Sequence, residues 1–274
     1  MEKTVAIQGI KGSFHHIVSQ NYFAEPVEVL PCSSFDEVAE KLKIGLADTA
    51  IMAIENSIAG SIIPNYALID DNNLNIVGEY FLDVQQHLMV LSGQSIEDIF
   101  EVHSHPMALL QCKTFFKAHP HIKLVEDKDT AEVAERIHQK QIKGVGAIAS
   151  ALAASIYDLE ILVANIQTIK HNETRFVAVQ SQDSSHKEIN SKPSLKFSLN
   201  HKRGSLAAML NVMSDCKLNL TKIQSIPVIQ TPWKYAFFVD VTFESWDHYT
   251  KAKSIMEIMA EEFKVLGTYK NAKL

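Results

Sequence analysis

Residues 49–54 (Thr-Ala-Ile-Met-Ala-Ile) constrain this chain more than any other stretch. They form a short, continuous apolar run between Asp48 and Glu55. Such a run is expected of a strand buried on both faces, and strands of that kind belong to parallel sheets covered by helices. The flanking sequence agrees. Residues 4–7 read as a strand, the glycine loop 9–12 follows, and Phe14, Ile17 and Val18 mark a helix to about Phe23. Residues 27–30 read as a second strand. Ser34 and Glu37 form a capping-box pattern ahead of an apolar stripe of Phe35, Val38 and Leu42.

Alternation continues downstream. Residues 76–91 are extended, Pro106 opens a helix capped by His105, and Leu109, Leu110, Cys112, Phe115 and Phe116 are its expected buried side. Asp129 caps another helix, with Glu132 three residues on. A strand (145–149), a helix (150–157) and a short strand (160–163) lead to a strand starting at Phe176. This order predicts an α/β fold of two lobes joined by crossover strands, with the cleft between them as the ligand site. The lobes are expected at roughly 1–80 plus 170–180, and at 81–169.

The clearest break in composition is 181–193, a polar stretch ending in proline. It reads as a linker between a 1–180 domain and a 194–274 domain. In the latter, strand 195–200, helix 206–216, strands 220–229 and 235–243, helix 248–263 and strand 265–269 give the βαββαβ order of a ferredoxin-like domain. A domain of that size suits a small-molecule sensor or a dimerisation module.

Bulk properties exclude several classes. Net charge is −6 and no basic run is interleaved with aromatics, so nucleic acid is not an expected partner. No apolar run approaches 18 residues and no charged-then-apolar leader opens the chain, so a cytoplasmic protein without a membrane partner is expected. Cys32, Cys112 and Cys216 are far apart and read as small core residues, not as a disulfide or zinc set. His103 and His105 lack a carboxylate or thiol at useful spacing, so no metal is expected.

The chemistry-bearing candidates are few. Residues 172–176 (Asn-Glu-Thr-Arg-Phe) place a hydroxyl, a guanidinium and an aromatic ring side by side at the mouth of a strand. The chain has three arginines, and a planar guanidinium can grip a carboxylate with two parallel hydrogen bonds. Glu55, Asn56 and Ser57 follow the buried strand, beyond whose carboxyl end ligands sit in parallel sheets. An ordinary turn is an equal reading of that triplet. Ser104 and Gln111 are about two helical turns apart and are expected to share a face. Gly12 and Ser13 open a helix whose N-terminus could hold an anion. The loop has neither GxGxxG nor P-loop spacing, so no nucleotide cofactor is expected.

Together these segments resemble the prephenate dehydratase family. Residues 9–14 are similar to its Gly-Pro-x-Gly-Thr/Ser-Phe loop, with Ile10 for proline. Residues 54–60 resemble Ile-Glu-Asn-Ser-x-x-Gly, residues 104–112 its Ser-His-Pro-Gln…Gln-Cys segment, and residues 172–176 its Asn-x-Thr-Arg-Phe signature. Residues 203–206 and 219–225 resemble the Gly-Ala-Leu and Asn-Leu-Thr-Lys-Ile-Glu-Ser segments of an ACT regulatory domain. The resemblance implies a periplasmic-binding-protein-like catalytic domain and a decarboxylative dehydration of prephenate to phenylpyruvate without a cofactor. It implies Thr174, Glu55, Asn56 and Gln111 as catalytic residues, and Arg175, Gly12, Ser13, Ser57, Ser104 and Phe176 as substrate-binding ones. Phenylalanine is the implied effector, at Gly204, Ser205, Leu206, Asn219 and Leu220, and a homodimer or homotetramer is expected. Arogenate, the amino analogue of prephenate, is an alternative substrate. A non-catalytic two-lobed binding protein is the other alternative. Besides Ile10, three departures weaken the match. Met107 replaces a glutamine, and Gln224 and Ile226 replace the glutamate and arginine of the ACT segment.

Overall fold

The computed structural model describes residues 3–23, 25–181, 191–228, 231 and 234–273. In chain order the elements are β1 (Lys3–Gln8), α1 (Phe14–Phe23), β2 (Val27–Cys32), α2 (Phe35–Lys43), β3 (Thr49–Asn56), β4 (Gly60–Ser61), α3 (Ile63–Asp71), β5 (Asn75–Asp83), β6 (His87–Val90), β7 (Glu101–Ser104), α4 (Pro106–Gln111), α5 (Lys113–Phe116), β8 (Lys123–Glu126), α6 (Thr130–Lys140), β9 (Val145–Ala149), α7 (Ala151–Ile156), β10 (Glu160–Val163), β11 (Glu173–Gln180), β12 (Lys192–Ser198), α8 (Ser205–Asp215), β13 (Asn219–Pro227), β14 (Tyr235–Thr242), α9 (Trp246–Met259) and β15 (Glu262–Tyr269). The chain divides into two compact units, Met1–Gly60 with Phe81–Phe176, and Ser61–Tyr80 with Val177–Leu274. β5 and β11 each run from one unit into the other.

The first unit is a mixed α/β structure. One sheet has the order β2-β1-β3-β11-β5, with β1 parallel to both β2 and β3. Residues 49–54 are buried throughout, as a central parallel strand requires. The second sheet, β10-β6-β9-β7-β8, mixes parallel pairs (β7 with β8 and β9) and antiparallel ones (β6 with β9 and β10). Val133, Ala134 and Ile137 of α6 and Ala153 of α7 pack with Met89 and Ala147 in one buried cluster. Leu109, Cys112 and Phe116 pack with Leu88, Val102 and Ile148 in another.

Several boundaries differ from the sequence reading. The helix opened by Pro106 breaks at Cys112, because Thr168 N–H takes the Gln111 carbonyl and Phe115 N–H turns to Cys112 O at 3.0 Å. Leu110 is 62% exposed, off the side that Leu109, Cys112 and Phe116 bury. Ser104 ends β7 and lies outside that helix. Glu37 completes only half a capping box. Its N–H donates to Ser34 Oγ at 3.2 Å, while its carboxylate takes Ser33 N–H at 2.7 Å. The strand expected to start at Phe176 starts at Glu173, so Thr174 and Arg175 lie inside it.

In the second unit the order after residue 191 is β12-α8-β13-β14-α9-β15, as expected, on an antiparallel sheet ordered β13-β14-β12-β15. α9 ends at Met259, so Phe263 belongs to β15. Residue 229 and residues 182–190 of the expected linker lie outside the described residues. Lys192 and Pro193, read as linker, are buried in β12.

Residues 61–80 are tied to every strand of this sheet. Lys222 of β13 donates to Ser61 Oγ at 2.6 Å, and Tyr66 meets Phe238 of β14 edge-on. Asp70 binds Lys196 of β12 at 2.6 Å and Lys264 of β15 at 2.7 Å. Burial alone would raise the Asp70 carboxyl, but the two ammonium groups outweigh it and hold it below the usual carboxylate range. Glu79 and Lys192 form a buried pair at 2.8 Å, and Ala272 N–H adds a third donor to Glu79. Removing one member of such a pair strands a buried charge. Lys192→Met is therefore expected to lower unfolding free energy by about 3–5 kcal/mol, read from urea denaturation. A loss below about 1 kcal/mol would contradict this account of the pair.

Candidate active site

Two backbone N–H groups set the orientation of the whole site. Ile58 N–H and Ala59 N–H donate to Asn56 Oδ1 at 3.0 and 2.9 Å. An amide nitrogen cannot accept those bonds, so the flip of Asn56 is determined. Its Nδ2 therefore faces inward, donating to Asn172 Oδ1 at 2.7 Å and Thr174 Oγ1 at 2.8 Å. Asn172 is fixed in turn, and its Nδ2 donates to Gln111 Oε1 at 3.0 Å. Gln86 Nε2 reaches the same oxygen at 3.3 Å. Gln167 Oε1 accepts Gln86 N–H at 3.0 Å, ending the row.

The result is a chain of neutral amides leading from Gln86 to the hydroxyl of Thr174. Asn172, Gln86 and Gln167 are buried, and Thr174 is only 8% exposed. Because Thr174 Oγ1 already accepts from Asn56, its own O–H proton is left for a further acceptor. That is the property a hydroxyl donor to a leaving group requires. Asn172 is itself anchored by its backbone. Its N–H donates to Asp83 Oδ1 at 3.0 Å, and its carbonyl accepts Val84 N–H at 2.7 Å.

The sequence candidates fall into two groups. Asn56, Gln111 and Thr174 meet through Asn172. Ser57 adjoins them but pairs β3 to β11, donating its N–H to Glu173 O and accepting Glu173 N–H on Oγ. Glu55 precedes Asn56 on β3 and Arg175 follows Thr174 on β11, so each projects to the opposite face from its neighbour. Arg175 is buried there. Phe176 is a core residue, 2% exposed and edge-on to His15 at 5.0 Å, which removes it from a ligand surface. Ser104 is fully buried and spends its hydroxyl on Ile148 O at 2.7 Å. It shares no face with Gln111, because it ends a strand.

The glycine loop also differs from expectation. Gly12 N–H donates to His16 Nδ1 and Ser13 N–H to Ile10 O, so these amides serve the loop and do not face a ligand. Ser150 Oγ holds Gly12 O at 2.6 Å and Tyr157 OH holds Lys11 O at 2.8 Å. Gly12 has φ +90, and a Cβ there would stand 2.9 Å from Ala153 Cα. Glycine is needed because the loop lies directly on α7.

Among the effector candidates, Gly204 has φ 83 and caps α8, whose first residues Ser205 and Leu206 line a cavity of about 400 Å³. Asn219 and Leu220 open β13 and do not line it. Among the described residues no group of histidine, cysteine and carboxylate side chains could hold a metal ion. No helix there is long and apolar enough to cross a membrane. The three thiols are buried, and burial pushes Cys32 up to about 11 and Cys112 up to about 12, so neither is a nucleophile.

Sequence reasoning gave no role to Gln86, Gln167 or Asn172. Asn172 carried a signal as the polar residue ahead of a buried strand. Gln86 and Gln167 carried none.

Fold and site define a class: an α/β protein whose polar centre is a row of neutral amides ending on one threonine hydroxyl. The prephenate dehydratase family profile matches residues 5–184, and the chain belongs to that family of enzymes. It is 35% identical to an arogenate dehydratase/prephenate dehydratase 2 of Arabidopsis thaliana, over 97% of this chain and 72% of that one. It is 32% identical to a bifunctional chorismate mutase/prephenate dehydratase of Aquifex aeolicus, over 98% and 74%. Among solved structures, a prephenate dehydratase from Staphylococcus aureus superposes with TM-score 0.84 at 26% identity, covering 98% of this chain and 100% of that one. A quorum quenching acylase, GqqA, superposes with TM-score 0.89 at 27% identity, covering 98% of both.

His15 supplies a test of the packing beneath the site. It is buried between Phe35 and Phe176, and burial lowers its pKa from 6.5 to about 4. The unfolded chain binds the proton more readily in that window, so stability is full above pH 6.5 and falls as pH drops toward 4. Between pH 7 and 4 His15 is expected to contribute about 3 kcal/mol to the loss of stability, a share that His15→Leu removes while the shares of His16 and His87 remain. An unchanged slope in the variant would place the loss elsewhere.

Proposed function

We propose that the chain catalyses decarboxylative dehydration of prephenate to phenylpyruvate, water and carbon dioxide. The carrying observation is the freed O–H of Thr174. In the substrate, the bond from the ring to its carboxylate breaks and its electron pair enters the ring. The ring C–O bond breaks with its pair on oxygen, and one proton completes the water. Aromatisation supplies the driving force, so the protein's task is to stabilise the departing hydroxyl and hold two carboxylates. Thr174 donates to that hydroxyl. A threonine is too weak an acid to give up its proton alone, so it stabilises or relays. Asn56, donating to Oγ1, stabilises the oxygen as negative charge develops on it. Arg175 faces away from Thr174 on β11 and is buried, so it is given no carboxylate of the same substrate.

The same site would serve arogenate, a reading favoured by the name of the Arabidopsis relative. Purified protein given each substrate separately, with phenylpyruvate and phenylalanine followed, decides between them, and turnover of neither would sink the enzyme reading. Thr174→Val is expected to lower kcat by about 10²–10⁴-fold with little change in KM, and Thr174→Ser to recover most of it. Asn56→Asp, which loses the donor to Oγ1, is expected to fall with the valine variant. Activity in Asn56→Asp near the parent level would remove the amide row from the mechanism.

Regulation by phenylalanine rests on the βαββαβ domain, read as an ACT domain with Gly204, Ser205, Leu206, Asn219 and Leu220 at its effector site. β13 is an end strand whose alternate residues are exposed, Ile223 by 40%, which suits pairing with a second copy. Phenylalanine is expected to inhibit turnover of a dimer or tetramer. A monomer by light scattering that phenylalanine leaves fully active would end this part of the reading.

A further inference from the structure

The orientation fixed at Asn56 has an effect beyond Thr174. Gln111 Oε1 accepts from both Asn172 and Gln86, so the Gln111 amide cannot flip without setting donors against donors. Its Nε2, with two N–H donors, is turned away from the row and meets no partner among the described residues. Gln111 also lines a cavity of about 410 Å³ within the first unit. The remaining walls are of two kinds. Met107, Leu110 and Ile169 are large apolar side chains exposed by 37%, 62% and 52%. Lys113 and Lys117 add two cations, and among the described residues no carboxylate lines the space.

A cavity with apolar walls, amide donors and cationic ends, and without an acidic side chain, selects one kind of ligand. We propose that it is an accessory binding site for a small carboxylate with an apolar body, aryl or alkyl, whose carboxylate meets Lys113, Lys117 and Gln111 Nε2. The cavity takes its polarity from residues the dehydratase reading uses only at their other end. Ile58, which also lines it, is held by Asn56 Oδ1. A ligand there pulls on Gln111 and Ile58, and through Asn172 and Asn56 it is coupled to the Thr174 hydroxyl. The thioether of Met107, which lines the cavity, makes the site more receptive to an apolar body.

The test is binding, so its failure is separate from failure of the dehydratase reading. Methyl-labelled full-length protein would be titrated with 3-phenylpropanoate, hexanoate and the neutral 3-phenylpropanamide, and affinities taken by calorimetry. At least one acid is expected to saturate and shift the Met107, Leu110 and Ile169 methyl signals, with the amide at least tenfold weaker. Lys113→Glu with Lys117→Glu, at exposed positions that leave the fold intact, is expected to weaken the acid at least tenfold. Leu110→Asp should do the same. Binding of an aryl acid alone supports the proposal and narrows the class. Equal binding of acid and amide, unchanged affinity in the double variant, shifts confined to other methyls, or no binding by either acid would overturn it. Loss of subunit association in the Leu110→Asp variant would also overturn it, by making this face a contact between copies.

Discussion

Two hydrogen bonds from a tight turn to one side-chain oxygen govern the chemistry of this molecule. Ile58 and Ala59 offer backbone N–H groups whose polarity cannot be reversed. Asn172 and Gln111, one and two steps further along the hydrogen-bond row, inherit that polarity. Each would otherwise be a coin toss between donor and acceptor. The consequence is a threonine whose oxygen is occupied and whose proton is not. A neutral site of this sort keeps charge out of a low-dielectric interior until the substrate brings it, where an unpaired ion would be costly to bury.

The supporting structure follows from the same economy. β3 must be buried on both faces to deliver Asn56 at its end, and 49–54 contains no charged residue to oppose this. β11 delivers Thr174 beside it because Ser57 and Glu173 exchange backbone and hydroxyl hydrogen bonds. Gln111 reaches the row because its helix stops there, its carbonyl having been taken by Thr168. In the second unit, ionic ties do the corresponding work. Asp70 and Glu79 each neutralise lysines from the four-stranded sheet, so residues 61–80 are fixed to the βαββαβ half of the chain.

Much of this was legible from residues alone, and the failures have physical causes. Alternating runs revealed the strands and helices, since burial on two faces or one leaves a period in the sequence. The threonine and Asn56 were legible because they sit at strand ends, where side chains meet ligands. Ser104 misled because the cap at His105 marks a helix start but not how far the preceding strand reaches. Leu110 misled because it lies about 100° around the helix from Leu109, beside the buried stripe of Leu109, Cys112 and Phe116, and an apolar side chain there is not covered. Phe176 misled because, although it shares a strand face with Thr174, it lies two residues further into β11, where its ring packs on His15 in the core. Gln86 and Gln167 were invisible because nothing in their local sequence distinguishes a buried amide from a surface one.

The central claim concerns where hydrogens are, and neutron diffraction from crystals of the deuterated protein measures that directly. The account predicts two deuterons on Asn56 Nδ2, one toward Asn172 Oδ1 and one toward Thr174 Oγ1, with the Thr174 deuteron directed away from Asn56. A Thr174 deuteron pointing at the Asn56 side chain, with the amide oxygen receiving it, would contradict the account.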